Sequence, residues 1–157
     1  MTQPIVLDKS HIGKTYGRVT TEVEKGRLRF FAKAIGETDP VYTDLAAAEQ
    51  AGYPSLPVPP TYFFCLQMLD VPDPTAWVGE IGISLQNILH GEQSFEYLET
   101  AFAGDRLTFE SVITDIYDKK GGALTFVVSD TTVHNQAGNL VCKLKQSLVV
   151  RNPGGSK

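Results

Sequence analysis

The hydrophobic pattern divides the chain into a helical first half and a strand-rich second half. Leu28, Phe31, Ala34 and Ile35 recur at helical spacing, and the basic residues between them can face water. This pattern predicts a helix over residues 23–35.

Local signals mark the ends of that helix. Thr21 followed by Glu24 has the spacing of a capping box, which predicts the N-terminal end. Gly36 predicts the C-terminal end, because glycine adopts the left-handed conformation without steric cost. A short strand is expected before it, over residues 14–20, and a second helix after it, over residues 44–51 with Asp44 as its cap.

The middle of the chain combines a proline-rich passage with an apolar helix. Residues 53–60 contain too many prolines for a regular helix or a central strand. Residues 61–70 are apolar on nearly all sides, which predicts a short buried helix. The segments predicted as strands after Pro74 are residues 77–86, 89–99, 107–117, 124–135 and 140–151.

Turn residues separate these strands and favour antiparallel hairpins. Glycine and asparagine cluster at residues 119–122 and 135–139, and residues 103–105 predict a tight turn. The order of one strand, then helices, then a meander of strands predicts an α+β fold. In that fold the helices cover one face of an antiparallel sheet, and the apolar helix lies against its concave side.

Composition limits the classes of function. The 157 residues fit one domain over residues 1–157, and 42% hydrophobic and 20% charged residues are ordinary for a globular protein. The net charge of −4 disfavours nucleic acid, although a local basic patch is still compatible with it.

Targeting and metal signals are weak. Residues 1–7 lack a signal-peptide pattern, and no apolar stretch is long enough to span a bilayer, so we expect a cytoplasmic protein. Cys65 and Cys142 lie far apart in apolar surroundings, which predicts two buried thiols. No CxxC or Cys/His spacing suggests zinc and no ligand cluster is visible, so we expect neither a metal nor a cofactor.

The densest group of reactive side chains follows the first helix. Glu37, Asp39, Tyr42 and Asp44 fall within eight residues. Neighbouring carboxylates can form an acid/base pair, and a tyrosine hydroxyl can donate to an oxyanion. The same residues would also suit helix capping in a solvated loop, and the pattern leaves both interpretations open.

The three histidines offer one further candidate. His90 lies in a strand-like segment, where it could be a general base or a hydrogen-bonded residue of a sheet. His11 and His134 are expected at the surface. The chain has no nucleophile elbow, phosphate-binding loop or dinucleotide fingerprint.

Three segments, in this order, resemble the MaoC-like (R)-specific hydratases and dehydratases. The motif of that family runs Ser-Gly-Asp-x-Asn-Pro-Leu-His-x-Asp, and residues 35–44 read Ile-Gly-Glu-Thr-Asp-Pro-Val-Tyr-Thr-Asp. Residues 89–97 are similar to the segment that opens the strand region of the family's N-terminal, non-catalytic-half domains, and residues 102–107 to its Gly-Asp-x-Leu turn. The resemblance covers about residues 12–150. It implies a hot-dog fold, in which an antiparallel sheet wraps around a central apolar helix, with a core over about residues 12–151.

The resemblance also implies a site and shows where this chain departs from it. Catalytic members use an Asp and a His to hold the water that adds across an enoyl thioester, and a helix amide to steady the thioester oxygen. Here Glu37 stands at the Asp position, Tyr42 at the His position and Asp39 at the Asn position. Because tyrosine has a pKa of about 10, it is a poor base at neutral pH.

This departure implies a subunit that has lost the catalytic pair, as in two-subunit (3R)-hydroxyacyl-ACP dehydratases. We expect an acyl-binding subunit that pairs with a catalytic MaoC-like partner through strand edges and the segment near the central helix. Residues 57–68 would line the acyl tunnel. The expected substrate-binding residues are Pro60, Thr61, Tyr62 and Phe63. The substrate would be an acyl-CoA or an acyl-ACP, and a homodimer could form in isolation.

Three alternatives remain open at this point. One is an autonomous homodimeric hydratase that uses Glu37 as base, with Tyr42 or His90 as the acid or the water-orienting group. The second is a hot-dog thioesterase, and the third is an acyl-thioester-binding protein without catalytic activity.

Overall fold

The computed structural model describes residues 6–152 of the chain. The ends of the predicted domain, residues 1–5 and 153–157, lie outside this range, as does most of the segment assessed for a signal peptide. The helices are α1 (Lys25–Ala34), α2 (Leu45–Gln50), α3 (Tyr62–Leu69) and α4 (Ala76–Glu80). The strands are β1 (Thr15–Glu22), β2 (Ile88–Tyr97), β3 (Arg106–Lys119), β4 (Leu124–His134) and β5 (Leu140–Arg151).

The five strands form one antiparallel sheet in the order β1-β3-β4-β5-β2. The α+β prediction is therefore confirmed. The expected meander is right only for β3, β4 and β5, because β2 does not pair with β3, the strand that follows it. Instead β2 pairs with β5 at the far edge, and its side-chain alternation could not reveal this long-range partner.

The apolar helix α3 packs against the concave face of the sheet, as the sequence predicts. Tyr62, Phe63 and Leu66 on α3 are buried in a core cluster with Leu107 and Phe109 on β3. Leu28 on α1 joins this cluster and is fully buried. Hydrophobic burial on both sides of α3 thus fixes the helix between the sheet and α1.

The strand predicted over residues 77–86 is wrong. The first half of this segment belongs to α4, and a 3-10 turn at Leu85–Asn87 follows. Ile81 and Ile83 alternate like strand residues, but the glycine between them, Gly82, has φ of +81°, which no regular strand accommodates. The two isoleucines instead join Val78 in a second core cluster under α4.

The predicted capping box is also wrong. Thr21 is the last residue but one of β1 and does not cap a helix. Its buried hydroxyl donates a hydrogen bond to the carboxylate of Asp70, just after α3. Helix α1 begins after Glu24, whose carboxylate accepts from Arg27 at 2.6 Å. Long-range pairing of β1 with β3 therefore overrides the local helix signal.

The turn predictions agree with the structure. Gly36 has φ of +72° directly after α1, and Asp44 caps α2 by accepting from the Ala46 amide at 2.9 Å. Asn135 closes the β4–β5 hairpin by accepting from the Ala137 amide at 3.0 Å. Asp105 closes the turn before β3 by accepting from the amide of Phe102 at 2.8 Å.

Candidate functional site

The motif loop, residues 36–44, is held against α1 by backbone and side-chain contacts. Its start is fixed by the Glu37 amide, which donates to the Ala32 carbonyl at 2.9 Å. Near its end, Nε of Arg29 donates to the carbonyl of Thr43 at 2.8 Å. The loop is therefore a defined structure between α1 and α2, although most of its side chains are exposed.

The carboxylates of the motif loop accept hydrogen bonds from its own backbone. Oε1 of Glu37 accepts from the amides of Thr38 and Asp39 at 2.8 and 2.9 Å. Oδ1 of Asp39 accepts from the Val41 amide at 3.1 Å, which caps a 3-10 turn over Pro40–Tyr42. The capping interpretation of these residues thus describes their contacts well, and each carboxylate retains a second oxygen.

Tyr42 is half-buried beside these carboxylates. Burial raises the pKa of Tyr42 above its ordinary value, and the negative charges of Glu37 and Asp39 raise it further. The hydroxyl therefore stays protonated at neutral pH. It can donate a hydrogen bond there, but it cannot act as the base that a histidine would supply.

His90 is held by a different part of the fold. It lies on the edge strand β2, opposite Leu148 of β5, and its exposed ring meets Phe64 of α3 edge-on with 5.3 Å between ring centroids. The structure thus groups Glu37, Asp39 and Tyr42 in one loop and positions His90 separately, beside Phe64 of α3.

A cavity of about 320 Å³ lies between α3, α4 and the concave face of the sheet. This volume falls within the range of small-molecule pockets. Most of its wall is apolar, and it draws on α3, α4 and several strands of the sheet. The lining includes Tyr16 and Val19 of β1, Phe64 and Met68 of α3, Trp77 and Val78 of α4, and Phe109 and Leu148 of the sheet.

Two of the cavity's aromatic residues pack together. The rings of Tyr16 and Trp77 are stacked with centroids 4.3 Å apart. Burial raises the pKa of Tyr16 to about 12, and a hydrogen bond with Ser129 offsets part of that rise. The sequence did not predict the contact between Tyr16 and Trp77, because the pattern of residues 77–86 indicated a strand rather than the helix α4.

The predicted substrate-binding residues lie at the start of α3. Pro60 and Thr61 are exposed there, whereas Tyr62 and Phe63 are buried in the core. From the predicted tunnel segment, Phe64, Gln67 and Met68 line the cavity. The helical period explains the difference, because residues 62, 63 and 66 share the side of α3 that faces the core, and residues 64, 67 and 68 share the side that faces the cavity.

The described residues offer no obvious metal site. Between residues 6 and 152, His, Cys, Asp and Glu form no group of three or more that could hold an ion. Cys65 and Cys142 are free thiols, and Cys142 is the more deeply buried. Over the same range, every helix is too short or too polar to cross a membrane.

Comparison of the sequence with protein families gives one extended match. Residues 10–144 match the model of the family described as the FAS1-like dehydratase domain region. A curated relative, the UPF0336 protein of Streptomyces griseus subsp. griseus, is 34% identical over 152 residues. The alignment covers 94% of this chain and 97% of the relative.

Solved structures with a similar fold include two complexes from Mycobacterium tuberculosis. The truncated HadBC (3R-hydroxyacyl-ACP dehydratase) complex matches with a TM-score of 0.77 and 23% identity, covering 88% of this chain and 96% of that one. The ChsH1–ChsH2 complex matches with a TM-score of 0.71 and 18% identity, covering 90% and 86%. These similarities show that the fold is the hot-dog fold of MaoC-like dehydratases.

Proposed function

Since this chain belongs to the FAS1-like dehydratase-region family, we propose that it is the acyl-binding subunit of a heteromeric 3-hydroxyacyl-thioester dehydratase. In this proposal the chain forms part of the acyl site, and a MaoC-like partner supplies the catalytic Asp and His. The reaction is the reversible removal of water from a 3-hydroxyacyl thioester to give the 2,3-enoyl thioester.

The state of Tyr42 carries the proposal. Water addition or removal needs a group that exchanges a proton near neutral pH, and a tyrosine hydroxyl, whose ordinary pKa of about 10 is raised further at Tyr42 by burial and two carboxylates, stays protonated there. Glu37 alone does not replace the missing pair, because the neighbouring Tyr42 supplies no base to act beside the free Oε2 of Glu37, whose Oε1 is held by two loop amides. The motif loop therefore keeps the family's backbone frame without its base.

The cavity supports an acyl-binding role. Its apolar wall beside α3 suits a hydrocarbon chain, which gains about 0.8 kcal/mol for each methylene removed from water. The partner is supported by the structural neighbours, two of which are complexes, one of them a 3R-hydroxyacyl-ACP dehydratase. The edge strand β2 supplies unpaired backbone groups that a partner's strand could extend.

The first test is hydration of crotonyl-CoA by the purified chain, followed as the loss of enoyl-thioester absorbance. We expect no enzymatic rate from the isolated chain. Glu37→Gln and Glu49→Gln form a matched pair, because Glu49 is an exposed residue of α2 outside the motif loop. A robust rate lost in Glu37→Gln and kept in Glu49→Gln would overturn the proposal in favour of an autonomous hydratase.

A second test uses the complex. Co-expression with MaoC-like subunits from the same organism should yield one that co-purifies with this chain and is active. Tyr42→Phe should leave that activity within a few-fold of the wild-type complex, because the hydroxyl is not required as a base. Loss of activity in Tyr42→Phe, or release of free thiol instead of hydration, would contradict the assigned chemistry.

A further inference from the structure

Helix α1 concentrates positive charge in a chain that is acidic overall. Four of the 14 Lys and Arg residues lie within its ten residues, and the helix has no acidic residue, whereas the net charge of the chain is −4. Arg27 is paired with Glu24 at 2.6 Å. Between residues 6 and 152, Lys25, Arg29 and Lys33 form no salt bridge, so their charges are available at the surface.

These three cations lie on one side of the helix, beside an exposed aromatic residue. Lys25, Arg29 and Lys33 are spaced four residues apart and therefore form one stripe. On the neighbouring stripe, Phe30 lies between Gly26 and Ala34. Phe30 is 76% exposed, and Gly26 and Ala34, one turn before and one turn after it, are too small to cover its ring.

The buried side of α1, which lies opposite Phe30, fixes this surface in position. Leu28 and Ala32 are fully buried, so the helix cannot rotate to bury Phe30 without exposing them. The surface also adjoins the motif loop, because Arg29 donates from its Nε to the carbonyl of Thr43. An exposed aromatic next to unpaired cations, on a rigid support, is typical of a protein-binding surface.

We propose that the exposed face of α1 docks a small acidic acyl carrier protein, which delivers the acyl thioester to the site. The inference rests on the proposed function and names the carrier of its substrate. A carrier with an acidic helix would pair its carboxylates with Lys25, Arg29 and Lys33 and pack an apolar side chain against Phe30. Free coenzyme A offers phosphates for the cations but no apolar surface for the ring.

Binding of the purified chain to a holo acyl carrier protein from the same organism tests this proposal, by calorimetry at low salt. The double variant Lys25→Glu/Lys33→Glu should weaken binding by at least about tenfold, because each cation becomes a repelling anion. Phe30→Ala, which leaves the charge unchanged, should also weaken binding by about tenfold. Raising the salt concentration should weaken the wild-type interaction as well.

The matched control is Lys9→Glu/Lys14→Glu, which changes the net charge equally at two exposed lysines outside α1. This control should stay within about twofold of the wild type. The proposal is overturned if the wild-type chain does not bind the carrier, if the control weakens binding equally, or if Phe30→Ala has no effect. It is also overturned if the α1 variants change only the self-association of the chain.

The outcome is separable from the proposed dehydratase function. The binding measurement needs no catalytic partner, so it can succeed even if no active complex is found. Conversely, an active complex that uses acyl-CoA and ignores the carrier would retain the dehydratase function and refute the docking surface. Circular dichroism of each variant, compared with the wild-type chain, shows whether the variant remains folded.

Discussion

A larger side chain on β1 that reduces the volume of the cavity should weaken the binding of long acyl chains more than that of short ones. Val19 lines the cavity and lies in the middle of β1. Val19→Phe keeps a residue that favours strands, and it adds about four carbon atoms toward the cavity. We therefore expect the variant to exclude about four carbons of a bound chain.

The magnitude follows from the transfer of methylene groups. At about 0.8 kcal/mol for each, four excluded methylenes cost about 3 kcal/mol of binding free energy. This corresponds to a loss of affinity on the order of 100-fold for a long chain. A four-carbon thioester, which does not need the deeper part of a cavity of about 320 Å³, should lose little.

Calorimetric binding of acyl-CoA thioesters with four, eight and twelve carbons to the purified chain measures this selectivity. Thr20→Phe is the matched control, because Thr20 is exposed on the opposite side of the same strand. Denaturant unfolding of both variants detects any overpacking, which costs about 1–3 kcal/mol of stability. Equal weakening of short and long chains in Val19→Phe, or no weakening in either, would refute acyl binding in this cavity.

Two further predictions concern stability. Leu28→Ala should lower the free energy of unfolding by about 3–5 kcal/mol, because Leu28 is fully buried. Leu98→Ala, at an exposed site, should change it by less than about 1 kcal/mol. Urea unfolding measures both variants, and similar values for the two would contradict the assigned core. Folding raises the pKa of Tyr16 from an ordinary value of 10.0 to about 12, because the buried hydroxyl is more stable when neutral. The contribution of this group to the free energy of unfolding is therefore fully present below pH 10 and is lost as the pH rises towards 12. Tyr16→Phe should therefore flatten the fall of unfolding free energy over this range, and an unchanged slope would show that burial of the Tyr16 hydroxyl contributes little.

The comparison of α1 with residues 77–86 shows where sequence patterns suffice. Leu28 and its neighbours recur over several turns, and Gly36 ends the helix locally, so α1 was predictable within two residues at each end. In residues 77–86, the alternation of Ile81 and Ile83 is too short to separate a strand from a helix and turn. Packing of Trp77 on Tyr16, more than 50 positions earlier, favours the helical solution.

For the candidate site, the sequence determined which residues lie together. Glu37, Asp39 and Tyr42 are neighbours along the chain, and the short-range turn at Pro40 brings them into one loop. The tyrosine at the position where the resembled family has a histidine could likewise be recognised from the residue type. Their hydrogen bonds and the raised pKa of Tyr42 follow from the folded loop and required its geometry.

The sequence by itself determined the α+β class, the apolar central helix, the hairpin turns and the diverged motif, because each depends on residues close together in the chain. Only the tertiary structure decided that β2 pairs with β5, that Thr21 belongs to a strand, and that α4 closes a cavity against β1 and α3. These features join residues far apart in sequence. Their free energy comes from burial and strand pairing that exist only once the distant segments have met.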